Sequence, residues 1–249
     1  MIVTNLFDDE GAGAMAERVR RALDICLVCV LVLLIGPLLL LIAAAVWLES
    51  GRPILFCQAR IGKGGRHFCM YKFRKFHADA GNAGSPLTLK NDPRLTLVGS
   101  ILAATKFDEL PQLWNVLRGD MSIVGPRPES LAFADCFQNG WEELLRFKPG
   151  LLGPCQIIFR NETDVFPGDV APDVFYRTVL FPMKACIDLE YFNSRTLAAD
   201  FIIMLRGALA VVGYIPDRIG QVAIKLEPQV RVASAGASRP SVSRGRLAP

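Results

Sequence analysis

Histidine is almost missing from this sequence: His67 and His77 are the only two. With no cysteine or carboxylate at ligand spacing beside them they make no zinc site, and they read as surface or satisfied histidines. The seven cysteines (Cys26, Cys29, Cys57, Cys69, Cys136, Cys155 and Cys186) are odd in number and scattered, which is not the pattern of a secreted disulfide framework. Cys26 and Cys29 form a C-x-x-C with no second ligand pair, so small apolar fillers on a helix are the plainer reading. A reducing location for the main domain follows. A large excess of charge is missing too: a formal net charge of +4 is too small for wholesale nucleic-acid binding. There is no internal repeat. Gly62-x-Gly64-Gly65 fits no nucleotide-binding fingerprint and reads as a tight hairpin turn.

The most informative gap is a gap in charge. From Ile25 to Leu48 there is no ionisable carboxylate or base in 24 residues, and this segment accounts for a mean hydropathy of +0.32. That length is enough to cross a bilayer, and no polar stripe marks it as a soluble core helix. Three readings fit. A cleaved signal peptide finds support in Ala43-x-Ala45, but the run is too long and begins late. A Pro-kinked spanning helix is the second. The third is a re-entrant helix-break-helix centred on Gly36 and Pro37, because proline removes a backbone hydrogen bond and clashes with the preceding turn. Each half would be about 16 Å long, roughly half a bilayer core. Both flanks are basic, with Arg18, Arg20 and Arg21 before and Arg52, Arg60, Lys63 and Arg66 after. That places both ends on the cytoplasmic side, which favours the re-entrant path.

The rest divides by composition. Residues 1–17 read as a flexible leader, 18–49 as a basic lead-in and membrane helix, 50–229 as the main domain, and 230–249 as a disordered basic tail without acids. HFCMYKF after the glycine turn reads as a strand, 105–118 and 131–147 as helices, 119–130 as irregular, and KPGLLGPCQI as a turn and a short extended piece. In 196–214, Asp200 and Arg206 interrupt the apolar residues, so an amphipathic helix on the domain or in the interface fits better than a span. Trp47 reads as an interface anchor and Trp114 as core. The fold class expected is α+β, mainly helical: a monotopic membrane protein with a cytoplasmic domain.

Asp108 and Glu109 carry the candidate chemistry. Acids at a helix start are favoured by its dipole, and Thr105-x-x-Asp108 also fits a capping box. Around them, however, lie Lys72, Arg74, Arg94, Lys148, Arg160 and Arg127, the last stiffened between two prolines, with Asp120 nearby. Paired carboxylates among fixed cations suit phosphate chemistry: one acid attacks phosphorus or holds Mg2+, and the cations neutralise diphosphate oxygens.

The ordered run DPRLTLVG…FDELPQLWNVLRGDMSIVGPRP, with RRALD (Arg20–Asp24), the broken apolar helix, IGKGGRHFCMYKFRKF, KPGLLGPCQI, Arg160-Asn161 and the Asp-containing last helix, closely resembles the bacterial sugar transferase family over residues 18–214. These are monotopic phosphoglycosyl transferases that initiate glycan assembly on a polyprenol phosphate. The resemblance implies Asp108 as the nucleophile on the β-phosphate of a UDP-sugar, with release of UMP and a phosphosugar-aspartyl intermediate. It implies Glu109 as the Mg2+ carboxylate, and Lys72, Arg160 and Asp200 as polar site residues. It also implies Arg127 as the uridine-diphosphate element, Arg74 and Arg94 as helpers, and Gly36-Pro37 as the re-entrant break. The partners implied are UDP-sugar, undecaprenyl phosphate and the inner-membrane bilayer, with a second copy or downstream glycosyl transferases as further possibilities and no nucleic acid.

One segment departs from the pattern. Where the family has LRRTSLDE-like sequence this chain has LAATKFDE, so Ala103 and Ala104 replace arginines and Lys106 is the nearest cation. The stretch 163–186 is longer and richer in proline than expected. Two alternatives follow: a membrane-anchored glycosyl transferase releasing UDP, or an inactive family member acting as a scaffold.

Overall fold

The computed structural model describes residues 4–77, 92–160, 166 and 170–211. Asn161, part of the Pro-rich stretch 163–186 and the tail 230–249 lie outside the described residues. Helix α1 (Thr4–Ser50) opens the chain, so the expected leader is helical from Thr4. The hairpin β1 (Leu55–Ile61) and β2 (His67–Phe73) follows, then α2 (Leu97–Thr105), α3 (Gln112–Arg118) and β3 (Ser122–Val124). After two 3-10 turns come β4 (Gly150–Leu152), α4 (Pro154–Ile158), α5 (Pro172–Phe175), a π turn, α6 (Phe181–Asn193) and α7 (Leu197–Val211). The body is mostly helical around two small two-stranded sheets.

The strand expected for HFCMYKF and the glycine turn before it are both present: β1 and β2 pair antiparallel with Ile61 opposite His67. Cys57 and Cys69 lie diagonally across this pair, with Cα atoms 5.6 Å apart and their sulfurs adjacent. Spacing alone gave no pairing, because the register of the hairpin is what brings the two together. The helix expected over 131–147 is instead two 3-10 turns, Leu131–Cys136 and Trp141–Arg146, separated by Asn139 and Gly140 at positive φ. Two left-handed residues in succession cannot continue a right-handed helix.

Helix α1 is uninterrupted across Gly36 and Pro37, one element rather than the two halves expected. Proline removes a single backbone bond, and packing on both sides keeps the register. Val28, Leu31, Val32 and Ile35 pack into a core with Met70, Leu113, Val116 and Ile123. Leu38, Leu39, Ile42 and Val46 pack into a second with Phe73 and Leu102. The spacing of three and four marks one helical face turned to the body. The opposite face is apolar and bare: Leu33 is 81% exposed and Leu40 is 74% exposed. Ala14–Ser50 is long and apolar enough to cross a membrane by length and composition. A third cluster around Phe133, Tyr176, Leu180 and Phe181 joins the 3-10 turns to α6.

Polar latches tie both ends of the apolar run to the same body. At its start, Arg21 donates to the Val116 and Leu117 carbonyls at the end of α3, where unpaired carbonyls favour a cation. Asp24 accepts from the Ser122 hydroxyl at 2.6 Å and the Ile123 amide at 3.2 Å. At its end, the Arg74 Nη2 donates to the Ser50 carbonyl, the Ser50 hydroxyl and the Gly51 carbonyl. The Arg74 Nε and Nη1 are buried with no hydrogen-bond partner among the described residues. Arg74→Ala is therefore expected to loosen the α1 terminus and cost about 2–3 kcal/mol, the scale of charged hydrogen bonds lost less some relief from burial. Urea unfolding in detergent measures this, and Arg74→Lys should recover only part of it.

Candidate active site

Asp108 and Glu109 do not begin a long helix. Helix α2 ends at Thr105, whose hydroxyl donates back to the Ile101 carbonyl at 2.8 Å and so closes a helix rather than starting one. Lys106 then turns the chain at φ 64°, and Phe107–Glu109 form a single 3-10 turn before Pro111 leads into α3. The expected helix 105–118 and its capping box are corrected accordingly. A left-handed lysine costs roughly 1–2 kcal/mol and is held here by the packing of α2 and α3 on either side. Its effect is to put the dyad on a sharp corner, with Asp108 only 2% exposed.

The corner is docked on β2. The Asn115 amide, fully buried on α3, donates to the Cys69 carbonyl at 2.7 Å and accepts from the Tyr71 amide at 3.0 Å, completing the edge of β2 as a strand would. Gly99 lets α2 rest on the Lys75 backbone: a Cβ there would lie 1.9 Å from the Lys75 carbonyl oxygen. These contacts aim two lysines at the dyad. Lys72 Nζ is 2.8 Å from Glu109 Oε1, and Lys75 Nζ is 3.7 Å from Asp108 Oδ2.

Arg127 arrives from the other side, its Nη2 3.3 Å from the same Glu109 Oε1. Its loop is pinned to β4, with the Gly125 amide donating to the Leu152 carbonyl and the Gly150 amide to the Pro126 carbonyl, both at 2.9 Å. Gly125 and Gly150 touch so closely that a Cβ on Gly150 would fall 2.1 Å from the Gly125 nitrogen. Arg60 of β1 holds the same loop by donating to the Pro128 carbonyl at 3.1 Å. Lys106 lies within electrostatic reach of both carboxylates, Lys75 and Arg127. Five cations thus surround two carboxylates, an excess suited to a diphosphate.

The two carboxyls are pushed in opposite directions. Burial pushes Asp108 above its ordinary value, with Glu109 adding to the rise and Lys72, Lys75 and Lys106 opposing it. Burial would raise Glu109 as well, but Lys72 and Arg127 hold it well below the usual carboxylate range. A neighbouring pair split this way is unequal: Glu109 is a fixed anion, and Asp108 is the more basic carboxylate.

Of the residues singled out in sequence, Lys72 and Arg127 gather at the dyad. Arg74 is spent on the end of α1. Arg94 forms a two-pronged pair with Asp92 and lies over the Phe76 ring. Asp200 accepts from Arg20 Nε at 2.9 Å, from Arg195 and from the Tyr191 hydroxyl at 2.8 Å, which fastens α7 to α1. Arg160 follows α4, half-buried. Asp120 faces Arg118 and Asn115. Trp114, expected in the core, is 57% exposed on α3. Lys75, Arg60 and the left-handed setting of Lys106 were not predicted, since charge is legible in sequence and its partner is not.

No group of three or more His, Cys, Asp and Glu stands ready for a metal among the described residues. The donor set still fits Mg2+ held jointly with substrate, since that ion takes one or two carboxylates and completes its shell with phosphate and water. Glu109, whose Oε1 is engaged by both Lys72 and Arg127, would be the carboxylate that holds such an ion.

Comparison with known proteins converges on one family. Its model, described as bacterial sugar transferase, matches residues 15–214. The UDP-glucose:undecaprenyl-phosphate glucose-1-phosphate transferase of Caulobacter vibrioides is 38% identical over 191 residues, 75% of this chain and 67% of that protein. The exopolysaccharide production protein ExoY of Rhizobium meliloti is 34% identical over 214 residues, 80% of this chain and 86% of that protein. A transferase of Escherichia coli with the same description as the Caulobacter protein is 40% identical over 166 residues, 65% of this chain but 36% of its own length. The chain spans about a third of the length of that relative and of two others, from Aeromonas hydrophila and Komagataeibacter xylinus.

Proposed function

On the premise that the chain belongs to the bacterial sugar transferase family, we propose that it transfers a sugar-1-phosphate from a UDP-sugar to undecaprenyl phosphate and releases UMP. The observation that carries this is the divided dyad, a buried Asp108 beside an anionic Glu109, inside a ring of five cations.

The residues suggest a two-step route. Lys72, Lys75, Lys106 and Arg127 neutralise the donor diphosphate and orient it across the corner. An Asp108 oxygen attacks the β-phosphorus, and the bond to the bridging oxygen breaks with its electron pair leaving on UMP. The acceptor phosphate oxygen then attacks the same phosphorus, and Asp108 departs as a free carboxylate. Mg2+, held by Glu109 and the phosphate oxygens, would supply further charge neutralisation.

The anchor suits this chemistry. Both ends of the apolar run are latched to one body, by Arg21 and Asp24 at the start and by Arg74 at the end. A body on one side of a bilayer cannot hold both ends of a straight span, so α1 would lie along the body with its bare face turned to lipid. Leu97 and Ile101 on α2 and Phe201, Ile202 and Leu205 on α7 are also exposed, and would lie in the interface. The basic flanks support a position for the domain on the cytoplasmic face of the inner membrane, where UDP-sugars are found.

The test is the leaving group. Solubilised protein is incubated with undecaprenyl phosphate, Mg2+ and a panel of UDP-sugars. UMP supports phosphoglycosyl transfer and names the sugar. UDP would mean glycosyl transfer, and no nucleotide from a folded protein would favour a scaffold. The reaction also has an expected pH dependence. Asp108 must be ionised to attack, and its titration is displaced upward, so the acid limb of single-turnover UMP release should lie above the ordinary carboxylate value of 3.8. A limb at or below that value would contradict the burial argument.

A further inference from the structure

The function proposed above leaves one buried polar cluster unused. Glu129 directly follows Arg127 and Pro128, is 8% exposed and accepts from the Tyr176 hydroxyl at 2.8 Å. The Tyr176 oxygen accepts in turn from the Lys184 ammonium at 3.4 Å, which also lies over the tyrosine ring, 4.9 Å from its centre. Tyr176 and Lys184 are both buried. They belong to the Pro-rich stretch 163–186: Tyr176 opens the π turn Tyr176–Leu180, and Lys184 lies on α6. Three hydrogen-bonding groups in one line polarise one another. Replacing such buried groups by well-packed apolar ones is often neutral or stabilising, so what they add is a fixed position more than stability.

What they fix is the Arg127 loop. Neither Pro126 nor Pro128 has an amide to donate, so the backbone around Arg127 is held mainly through carbonyls. The Pro126 carbonyl accepts from the Gly150 amide, the Pro128 carbonyl from Arg60, and the Glu129 carbonyl from the Ile61 amide at 3.0 Å. Toward α6 the loop meets a cavity of about 30 Å³ lined by Pro126, Arg127, Glu129, Lys184 and Asp188, so close packing does not seat it on that side. The Glu129 side chain ties the loop to the π turn there, and the Tyr176 ring is itself wedged against Phe133, ring centres 4.3 Å apart. We propose that Tyr176 and Glu129 are positioning residues for the donor: the bond between them holds the loop where the Arg127 guanidinium reaches both Glu109 and a nucleoside diphosphate. The proposal rests on the donor-binding role given to Arg127 above. It also gives the stretch 163–186 a task, since that stretch supplies the tyrosine.

The test is a double-mutant cycle on nucleotide binding, which needs no turnover. Calorimetry on the solubilised full chain measures the Kd for UDP in the presence of Mg2+. Tyr176→Phe removes the hydroxyl and keeps the ring on Phe133. It should raise the Kd about tenfold, the scale of one hydrogen bond to a charged group. Thr178→Val removes a hydroxyl from the exposed side of the same turn, where it donates to the Val174 carbonyl at 2.8 Å, and should leave the Kd unchanged. In an Arg127→Ala background, itself weaker for UDP, adding Tyr176→Phe should change the Kd less than about twofold, because the group being positioned is gone. If Tyr176→Phe does not fold, Glu129→Gln, which keeps the shape and removes the charge, is read in the same way. An unchanged Kd in Tyr176→Phe, or an equal loss with and without Arg127, would show a merely structural tyrosine and overturn the proposal. The transfer reaction is judged separately: a wild type that gives this cycle with UDP but no UMP from any donor would overturn the reaction and leave the positioning role standing.

Discussion

Asp108→Ala is expected to abolish UMP release from every donor, by roughly three orders of magnitude or more, and to leave the protein folded. The two halves of that expectation come from the same observation. Asp108 is 2% exposed, and burial makes its charged form costly, which is what keeps a carboxylate oxygen basic enough to attack phosphorus. The proposed nucleophile is thus a group held against its solvation preference, at the expense of stability. Its removal should therefore leave the melting temperature equal or slightly raised. Asp108→Asn keeps the shape and should be equally inactive. A merely structural Asp108 would give the reverse, a lowered melting temperature with activity largely kept.

Lys72→Met should cost both activity and stability. The Lys72 ammonium is 2.8 Å from Glu109, with the two side chains 11% and 22% exposed. Breaking a largely buried pair leaves the other charge uncompensated, and about 2 kcal/mol of stability should go, less than a fully dry pair would lose because Arg127 remains at 3.3 Å. Glu109 would then rise toward the ordinary carboxylate range and be a poorer ligand for the proposed Mg2+, and the proposed diphosphate site would lose one cation. A fall in kcat/KM of about 100-fold is expected, the scale of one preorganised charge at a developing anion. Arg94→Gln is the contrast. Arg94 is paired with Asp92 and stacked on Phe76, so its loss should change kcat/KM less than about threefold. Steady-state kinetics on the two variants, beside wild type, checks both statements.

These contrasts show where sequence was enough. The apolar run, the strand HFCMYKF and the last helix are legible because periodicity and length are local properties. The dyad was legible as chemistry and misplaced as structure: Asp108 and Glu109 sit on a 3-10 corner because Lys106 adopts a left-handed conformation, and no glycine marks the position. That turn also answers the missing arginines. Ala103 is half-buried and Ala104 exposed on α2, while Lys106, which a continuous helix would aim elsewhere, comes within reach of both carboxylates.

The other cations divide by partners that lie far away in sequence. The resemblance implied Arg74, Arg94 and Asp200 as site residues or helpers. In the structure Arg74 meets Ser50, and Asp200 meets Arg20 across 180 residues. Lys75 was overlooked beside Lys72 because strict strand alternation separates them. The strand ends at Phe73, however, and the chain beyond it bends Lys75 back toward Asp108.

The most direct test of phosphoglycosyl transfer through Asp108 is the mass of the protein itself. The donor that gives turnover is mixed with enzyme and Mg2+ without acceptor, quenched in acid, and the intact chain and its peptides are weighed. A covalent route predicts an added sugar-phosphate on the peptide containing Asp108, one per chain, lost on adding undecaprenyl phosphate and absent from Asp108→Asn. UMP formed only when the acceptor is present, with no adduct at any time, would show direct transfer and contradict a nucleophilic role for Asp108.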